Sequence, residues 1–283
     1  MTIIETKDLT YTYPGGTKPA INGISIKVQK GEFVLITGPS GCGKTTLCRC
    51  FNGLIPHFYQ GELEGEITVA GMGTTTQETH TMAKSVGLVF QNPENQLFAL
   101  SIEKDVAFGL ENLGMPRAKM RERVEWALNL TDIHDLRERS PHEVSGGQQQ
   151  RVAIAAVLAM QPEIIVLDEP TSFLDPLSAE KIFEVIHDLN KKLGLTVVLV
   201  EHRLDLTAKY ADHIIIMDAG KVCFDGNPRE ILNTEETRLI GIGIPKSTFL
   251  YHILRKDGVN LGDFTPLSSG ELAKLLQETF KRD

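Results

Sequence analysis

Apolar and polar residues alternate in two N-terminal segments, residues 2–12 and 21–29, and this alternation predicts half-buried strands. Short, continuous apolar runs follow along the rest of the chain and predict fully buried strands. These runs are residues 33–36, 87–90, 164–167, 196–200 and 213–217. Helical stretches separate most of them, including 148–160 and 179–193. Strands that alternate with helices predict an α/β fold built on a mostly parallel sheet with both faces covered.

Residues 101–140 have a different pattern and predict a helical insertion between two strands of the sheet. Ser101 is expected to cap a helix whose first turn carries Glu103 and Asp105. Pro116 suits the first turn of a second helix. The apolar residues expected on that second helix or at its end are Trp126, Leu128 and Leu130.

The length of 283 residues predicts one large domain with an appendage, because it exceeds the usual size of a single domain. Turn residues begin at about residue 236, and a short amphipathic segment follows at 269–280. We therefore expect a main domain over 1–235 and a small C-terminal extension over 236–283.

Charge and composition indicate which kinds of partner and which cellular compartment fit the sequence. The chain carries 29 basic and 37 acidic residues, a formal net charge of −8, and this disfavours non-specific binding to nucleic acid. Its four cysteines lack metal-site spacing, and three lie within nine positions, which favours a reducing compartment over a disulfide framework. The longest apolar runs are strand-sized, far short of the roughly 20 residues of a membrane helix, and the N-terminus has no signal-peptide pattern.

The clearest chemical motif follows the predicted strand 33–36. It reads Gly38-Pro39-Ser40-Gly41-Cys42-Gly43-Lys44-Thr45 and matches the phosphate-loop pattern G-x-x-x-x-G-K-[ST]. Its glycines let backbone N–H groups curl toward phosphate oxygens, and the helix that follows adds the positive end of its dipole. Lys44 would reach the β- and γ-phosphates, Thr45 would offer its hydroxyl to Mg²⁺, and Thr46 would support the phosphates. Cys42 is expected to be a small filler of the loop, and the plainer interpretation of the whole motif is a glycine-rich turn with a chance lysine.

A pair of acids ends the predicted strand 164–167. Asp168 and Glu169 would then lie at the carboxyl edge of the sheet, where α/β proteins bind their ligands. Asp168 would hold Mg²⁺, largely through water, and Glu169 would orient and deprotonate the attacking water. Two acids in a turn at a strand end are the alternative, and the phosphate loop weighs against it.

A second glycine motif, Ser145-Gly146-Gly147-Gln148, opens the predicted helix 148–160 and could be either an anion site or a simple helix cap. With this motif the sequence resembles the ABC ATPase family over nearly all of residues 2–235. The resemblance implies a P-loop NTPase fold with a RecA-like parallel core sheet and an antiparallel β subdomain near 2–30 and 62–70. It also implies a helical signature subdomain at about 95–160. In such proteins the signature loop of one subunit closes over the ATP held by another.

The resemblance assigns further roles in the family's order. Gln91 matches the Q-loop glutamine that contacts Mg²⁺ or the water, and His202 matches the switch histidine that contacts the γ-phosphate. Asp175 belongs to the D-loop at the dimer seam, where Phe173 is bulkier than usual. Tyr13 matches the aromatic that stacks on adenine, with Tyr11 as the alternative. The implied cofactors are ATP and Mg²⁺.

Three segments are similar to ATPase subunits of energy-coupling factor transporters. They are residues 91–98, residues 107–114, and a tail comprising 241–245, Pro266-Leu267 and a last helix. In those subunits the tail helps to hold the dimer, so the resemblance implies a dimer contact for the extension over 236–283. That resemblance implies an importer of a vitamin or a transition-metal ion, with the chain peripheral on the cytoplasmic face of the cell membrane. The implied partners are a second ABC ATPase subunit, a membrane scaffold and a substrate-binding membrane protein. Residues 91–98 and the helical insertion would form the groove that receives the scaffold, because Leu97 and Phe98 would otherwise be exposed. The alternative for residues 92–98 is a solvated loop with incidental apolar residues.

Other hypotheses remain open from the sequence. The chain could serve another ABC transporter class, or it could be a soluble ABC protein acting on nucleic acid or ribosomes. The latter would need long coiled-coil insertions, a second cassette or a basic face, and none is evident. A non-catalytic subunit of an asymmetric pair is disfavoured by the intact Glu169, His202 and signature motif.

Overall fold

A six-stranded sheet forms the core in the computed structural model, which describes residues 1–234, 236–237 and 240–280. In spatial order its strands are β11 (Lys221–Gly226), β10 (His213–Asp218), β4 (Phe33–Thr37), β9 (Thr196–Val200), β8 (Ile164–Asp168) and β7 (Val86–Val89). All pairings are parallel except β10 with β11 at one edge. The five predicted core strands are therefore confirmed, with β7 one residue earlier than expected, and β11 is an addition that the sequence pattern did not reveal.

A second, antiparallel sheet covers one side of this core. Its strands are β1 (Thr2–Thr12), β2 (Ile21–Ile24), β3 (Lys27–Gln29), β5 (Glu62–Val69) and β6 (Met72–Gly73). The predicted alternation of β1 changes phase at Asp8, which has a positive φ of 49° where the register with β5 shifts. The antiparallel β subdomain expected near 2–30 and 62–70 is present.

Helices cover both faces of the core sheet. Along the chain they are α1 (Lys44–Phe51), α2 (Leu54–His57), α3 (Thr79–Met82), α4 (Ile102–Asn112), α5 (Arg117–Leu130), α6 (Gly146–Met160), α7 (Pro176–Leu193), α8 (Leu204–Thr207) and α9 (Pro228–Ile231). Alternate residues of β4 point to opposite sides: Phe33 and Leu35 join one apolar cluster, and Val34 and Ile36 join the other. Both faces are therefore buried, as the continuous apolar runs predicted. Among the described helices, none combines the length and apolarity needed to cross a membrane.

The predicted helical insertion consists of α4 and α5, which pack on α6. Ser101 stands at the N-cap position of α4, with Glu103 and Asp105 in the first turn as predicted, but its side chain makes no capping hydrogen bond. Asp105 in the first turn instead accepts hydrogen bonds from the backbone N–H groups of Phe98 and Ala99 at 3.1 Å, which fixes the incoming chain. Pro116 stands one position before the first turn of α5. Trp126, Leu128 and Leu130 lie on α5 as expected.

Two helices, α10 (Lys246–Lys256) and α11 (Ser269–Phe280), form the C-terminal extension, and the second matches the predicted segment. Arg229 on α9 fastens them to the core by donating to both carboxylate oxygens of Glu271, at 2.7 and 2.9 Å, and to the carbonyl of Thr265 at 2.7 Å. The predicted domain boundary at 235 falls on a residue that, with 238, 239 and 281–283, lies outside the described residues. The boundary remains a prediction.

Candidate functional site

The phosphate loop, residues 38–45, leaves the carboxyl end of β4 and leads into α1. At Gly38 the φ is +149°, and a Cβ would lie 2.0 Å from the carbonyl oxygen of Met217. At Gly43 the φ is +105°, and a Cβ would lie 2.5 Å from the carbonyl oxygen of Ala20. Only glycine fits at these two positions, because backbone from neighbouring strands encloses the curl on both sides.

Lys44 is 5% exposed and its ammonium group points back into the loop. It donates to the carbonyl oxygens of Gly38 at 3.0 Å and Pro39 at 2.9 Å. Three donors on a flexible stem allow this group to turn toward a phosphate without moving the backbone.

Asp168, at the end of β8, is 4% exposed and faces Thr45. Burial raises the pKa of its carboxyl group, while a hydrogen bond from Thr45 opposes this rise and the charge of Glu169 adds to it. Among the described residues, its Oδ1 has no hydrogen-bond partner. A buried carboxylate oxygen without a partner, beside a threonine hydroxyl, fits a hard divalent cation such as Mg²⁺.

The Glu169 carboxylate contacts two other predicted site residues, Gln91 and His202. Its Oε2 accepts from the Gln91 side-chain amide at 2.8 Å, and its Oε1 lies 2.9 Å from Nε2 of His202. The backbone turns sharply here, with a φ of +48° that is uncommon for a residue other than glycine. Backbone strain of this kind concentrates at functional sites, and here it directs the carboxylate from β8 toward the loop after β9. Gln91, expected near the metal, therefore contacts Glu169 through its amide group.

Tyr13 and the phosphate loop form one wall of the same site. The Tyr13 hydroxyl accepts from Arg49 at 3.0 Å and lies 3.2 Å from the hydroxyl of Thr46. Tyr11 is fully buried, its ring edge-on to Tyr13 at 4.8 Å, and it donates to the carbonyl of Gln60. Tyr11 is therefore a core residue, and the alternative that assigned it to the adenine is wrong.

A pocket of about 350 Å³ brings most of the predicted residues together. It is lined by Tyr13, Ala20, Ser40, Gly41, Gly43, Lys44, Thr45, Thr46, Gln91, Glu169 and His202. Their sequence positions span almost 190 residues, and the parallel order of β4, β9 and β8 explains their meeting, because the carboxyl ends of all three strands share one edge.

The signature loop, residues 145–148, does not line this pocket. Ser145 and Gln148 form a reciprocal helix cap: the Ser145 hydroxyl accepts from the Gln148 N–H at 3.3 Å, and the Gln148 side chain accepts from the Ser145 N–H at 2.9 Å. Within one chain the motif therefore acts as a helix cap, which is one of the two interpretations that its sequence allows. The glycines next to it approach the D-loop, since a Cβ on Gly146 would lie 3.6 Å from Phe173.

Asp175 of the D-loop also has a local partner. Its carboxylate accepts from the N–H groups of Leu177 and Ser178 at 3.0 Å and caps α7. Hydrogen bonds from Ser178 hold the pKa of Asp175 below its usual value.

Glu201 is a buried acid at the site that the sequence analysis missed. Its carboxylate accepts from the hydroxyl of Thr171, from Arg203 at 3.2 Å and from the N–H of His202 at 3.0 Å. It joins the loop after β8 to the loop after β9 and fixes the backbone of His202. The sequence does contain an indication of this role, because a charged residue directly follows the apolar run 196–200 and precedes His202.

Cysteine reactivity gives a direct test of the packing around the loop. Burial raises the pKa of the Cys42 thiol, raises that of Cys50 to about 12 and raises that of Cys48 well above its usual value, whereas Cys223 is exposed on β11. We expect iodoacetamide at neutral pH to modify Cys223 alone in the folded chain and all four cysteines after denaturation. Peptide mass spectrometry locates the adducts, and rapid modification of Cys42 in the folded chain would contradict the packing.

Comparisons with known proteins show which family contains this fold and this site. The ABC transporter family model matches residues 21–172. The energy-coupling factor transporter ATP-binding protein EcfA of Methanocaldococcus jannaschii is 44% identical over 259 residues, covering 90% of each chain.

Two solved structures share the fold. The first is cbiO1 of Clostridium perfringens, described as part of the ABC transporter complex cbiONQ; it has a TM-score of 0.73 at 34% identity and covers 89% of this chain and 99% of its own. The second is a dimeric ATP-binding cassette in a post-hydrolysis state bound to ADP and phosphate, with a TM-score of 0.72 at 31% identity over 80% of this chain and 99% of its own. The predicted P-loop NTPase fold is thereby confirmed, and the chain belongs to the ABC transporter family as an ATP-binding ATPase subunit.

Proposed function

We propose that this ATPase powers an importer of the energy-coupling factor type, for a vitamin or a transition-metal ion. The observation that carries the hydrolytic part is the Glu169 carboxylate, held between Gln91 and His202 on the wall of the phosphate-loop pocket. The names of the relatives support the transport part, since one is an energy-coupling factor ATPase and another is part of a transporter complex.

The phosphate loop would hold the ATP phosphates. Ser40, Gly41 and residues 43–46 line the pocket at the N-terminus of α1, where their backbone N–H groups would bind the phosphates. Lys44 would neutralise the β- and γ-phosphates, and Thr46 would support them. Thr45, Asp168 and Gln91 would hold Mg²⁺, which would neutralise negative charge on the phosphates. Tyr13, fixed at its hydroxyl by Arg49, offers its ring face to the adenine.

Glu169 would act on the attacking water. Its carboxylate accepts the water's proton and, through His202 and Gln91, keeps one orientation toward the γ-phosphate. His202 would then donate to the γ-phosphoryl group, whose charge is spread over its oxygens in the transition state while the electron pair of the breaking bond goes to ADP.

A second ABC ATPase subunit, either another copy or a related chain, would complete the site. The N–H groups of Gly146 and Gly147 and the hydroxyl of Ser145 lie at the start of α6, outside their own pocket, and would close over the partner's γ-phosphate. Asp175 and Phe173 would lie at the seam between the subunits. Exposed apolar residues on the C-terminal extension would add to the dimer contact, and they are Phe249, Leu250, Ile253, Phe264 and Phe280.

An exposed apolar patch supports docking to a membrane scaffold. Phe98 is 61% exposed, Leu100 83% and Phe108 42%, and the rings of Phe98 and Phe108 are 4.6 Å apart. Nearby, Phe58 is 72% exposed beside a pocket that also contains Asn92 and Asn95. Leu97, expected to be exposed, is buried in the core, so the patch rests on the other four residues. Docking here would fasten the chain to the cytoplasmic face of the membrane and link the scaffold to Gln91.

Co-purification in mild detergent tests the transport assignment. We expect the tagged chain to retain a scaffold with several membrane spans and a small substrate-binding membrane protein, and Phe58→Ser combined with Leu100→Ser to abolish their recovery. Leu193→Ser, at an apolar position 67% exposed at the far end of α7, is the matched control and should retain both. Recovery of an exporter domain, or equal recovery with all variants, would contradict the proposal.

A further inference from the structure

The segment that enters the C-terminal extension runs beside the phosphate loop. Ile240, Ile242 and Ile244 pack against the main apolar cluster and anchor this segment to the core. Between them, Gly241 and Gly243 line a pocket of about 550 Å³ whose other walls include residues 37–40 and His202. The extension therefore borders the hydrolytic site itself.

A hydrogen bond also joins the extension to the segment that carries His202. Oδ1 of Asp205 accepts from the backbone N–H of Lys246 at 2.6 Å. Lys246 is the first residue of α10, where backbone N–H groups have no partner within the helix. A carboxylate at this position gains both a charge-assisted hydrogen bond and the favourable field of the helix dipole.

Asp205 lies three residues after His202, on α8, which has a single turn. A helix this short does not hold its own orientation, so external contacts must set it. Leu204 and Thr207 are buried and fix its inner side, and Glu201 fixes the backbone at its start. On the outer, exposed side of α8, the bond to Lys246 is the contact that reaches the extension.

We infer that Asp205 is a positioning residue for ATP hydrolysis: by tying α8 to the N-terminus of α10, it sets where His202 stands relative to Glu169. The inference rests on the proposed roles of Glu169 and His202. It makes the C-terminal extension a part of the hydrolytic site's support in each chain, in addition to its proposed contact with a partner.

The bond can be broken from either side in the full-length chain. Asp205→Ala removes the acceptor. Lys246→Pro removes the donor N–H at the first helical position, where proline is well tolerated and where the preceding Pro245 already has an extended backbone. Lys246→Ala is the matched control, because it deletes the exposed side chain and keeps the N–H.

We expect Asp205→Ala and Lys246→Pro each to lower kcat by roughly tenfold with little change in KM for ATP, since small misplacements of a catalytic group are costly. The double variant should be no slower than either single variant, because both remove the same bond. Amide exchange over residues 202–207 should accelerate in both, and Lys246→Ala should match the wild type in every measurement. Asp205→Asn, which keeps an acceptor oxygen, should recover part of the rate.

A His202→Ala variant distinguishes failure of the positioning role of Asp205 from failure of the proposed function. If it loses turnover while Asp205→Ala and Lys246→Pro keep wild-type kcat and exchange rates, the positioning role of Asp205 is wrong and the proposed function stands. If His202→Ala itself keeps wild-type turnover, the proposed role of His202 is wrong, and this inference is overturned with it.

Discussion

A Glu169→Gln chain is expected to bind ATP as tightly as the wild type and to release phosphate at least about a hundredfold more slowly, the usual contribution of a general base. Glutamine keeps the shape of the side chain, but it cannot take a proton from water. It also offers only one acceptor oxygen, whereas the carboxylate accepts from Gln91 at 2.8 Å and contacts His202 at 2.9 Å. Binding depends on the phosphate loop, which the substitution leaves unchanged.

Glu163→Gln is the matched control for this experiment. Glu163 directly precedes the same strand, β8, and forms an exposed ion pair with Lys30 at 2.8 Å, far from the pocket. Loss of such a pair has little effect on stability, so this variant should retain full turnover. Binding of a fluorescent ATP analogue and phosphate release measured on both variants decide the matter. Undiminished hydrolysis by Glu169→Gln would remove Glu169 from the mechanism.

The sequence predicted the core of the fold and the pocket because both depend on local patterns. Continuous apolar runs identify strands buried on both faces, and both the phosphate loop and the acidic pair begin where such a run ends, as Gly38 does after β4 and Glu169 after β8. Parallel strands bring their carboxyl ends to one edge of the sheet. Residues far apart in the sequence could therefore be placed in one site without knowledge of the strand order.

The failures share a physical reason, since each depends on tertiary contacts that no local pattern encodes. Ser101 stands at the N-cap of α4, but the carbonyls of Arg139 and Arg137 accept from the first N–H groups of the helix in place of its side chain. Leu97 and Phe98 are adjacent apolar residues, and packing alone decides that the first is buried and the second is exposed. Contacts between the C-terminal extension and the loop after β9, such as Asp205 with Lys246, join positions 41 residues apart and were likewise invisible in the sequence.

ATP held by the phosphate loop of one chain is expected to be hydrolysed only against the signature loop of another. Two variants each disable one half. Lys44→Ala removes the ammonium group that the phosphates require and leaves Ser145 intact. Ser145→Asp keeps a good helix cap for α6, because aspartate caps as well as serine, but it places a negative charge where the partner's γ-phosphate would lie. Each variant alone should show almost no ATPase activity.

Co-expression of the two variants with different tags is the most direct measurement. A mixed dimer pairs the intact phosphate loop of the Ser145→Asp chain with the intact signature loop of the Lys44→Ala chain, and so contains one working site of two. Random pairing makes about half of the dimers mixed, so we expect recovery of about a quarter of wild-type activity. Activity that stays at the level of the separate variants, or full activity of Ser145→Asp alone, would contradict it.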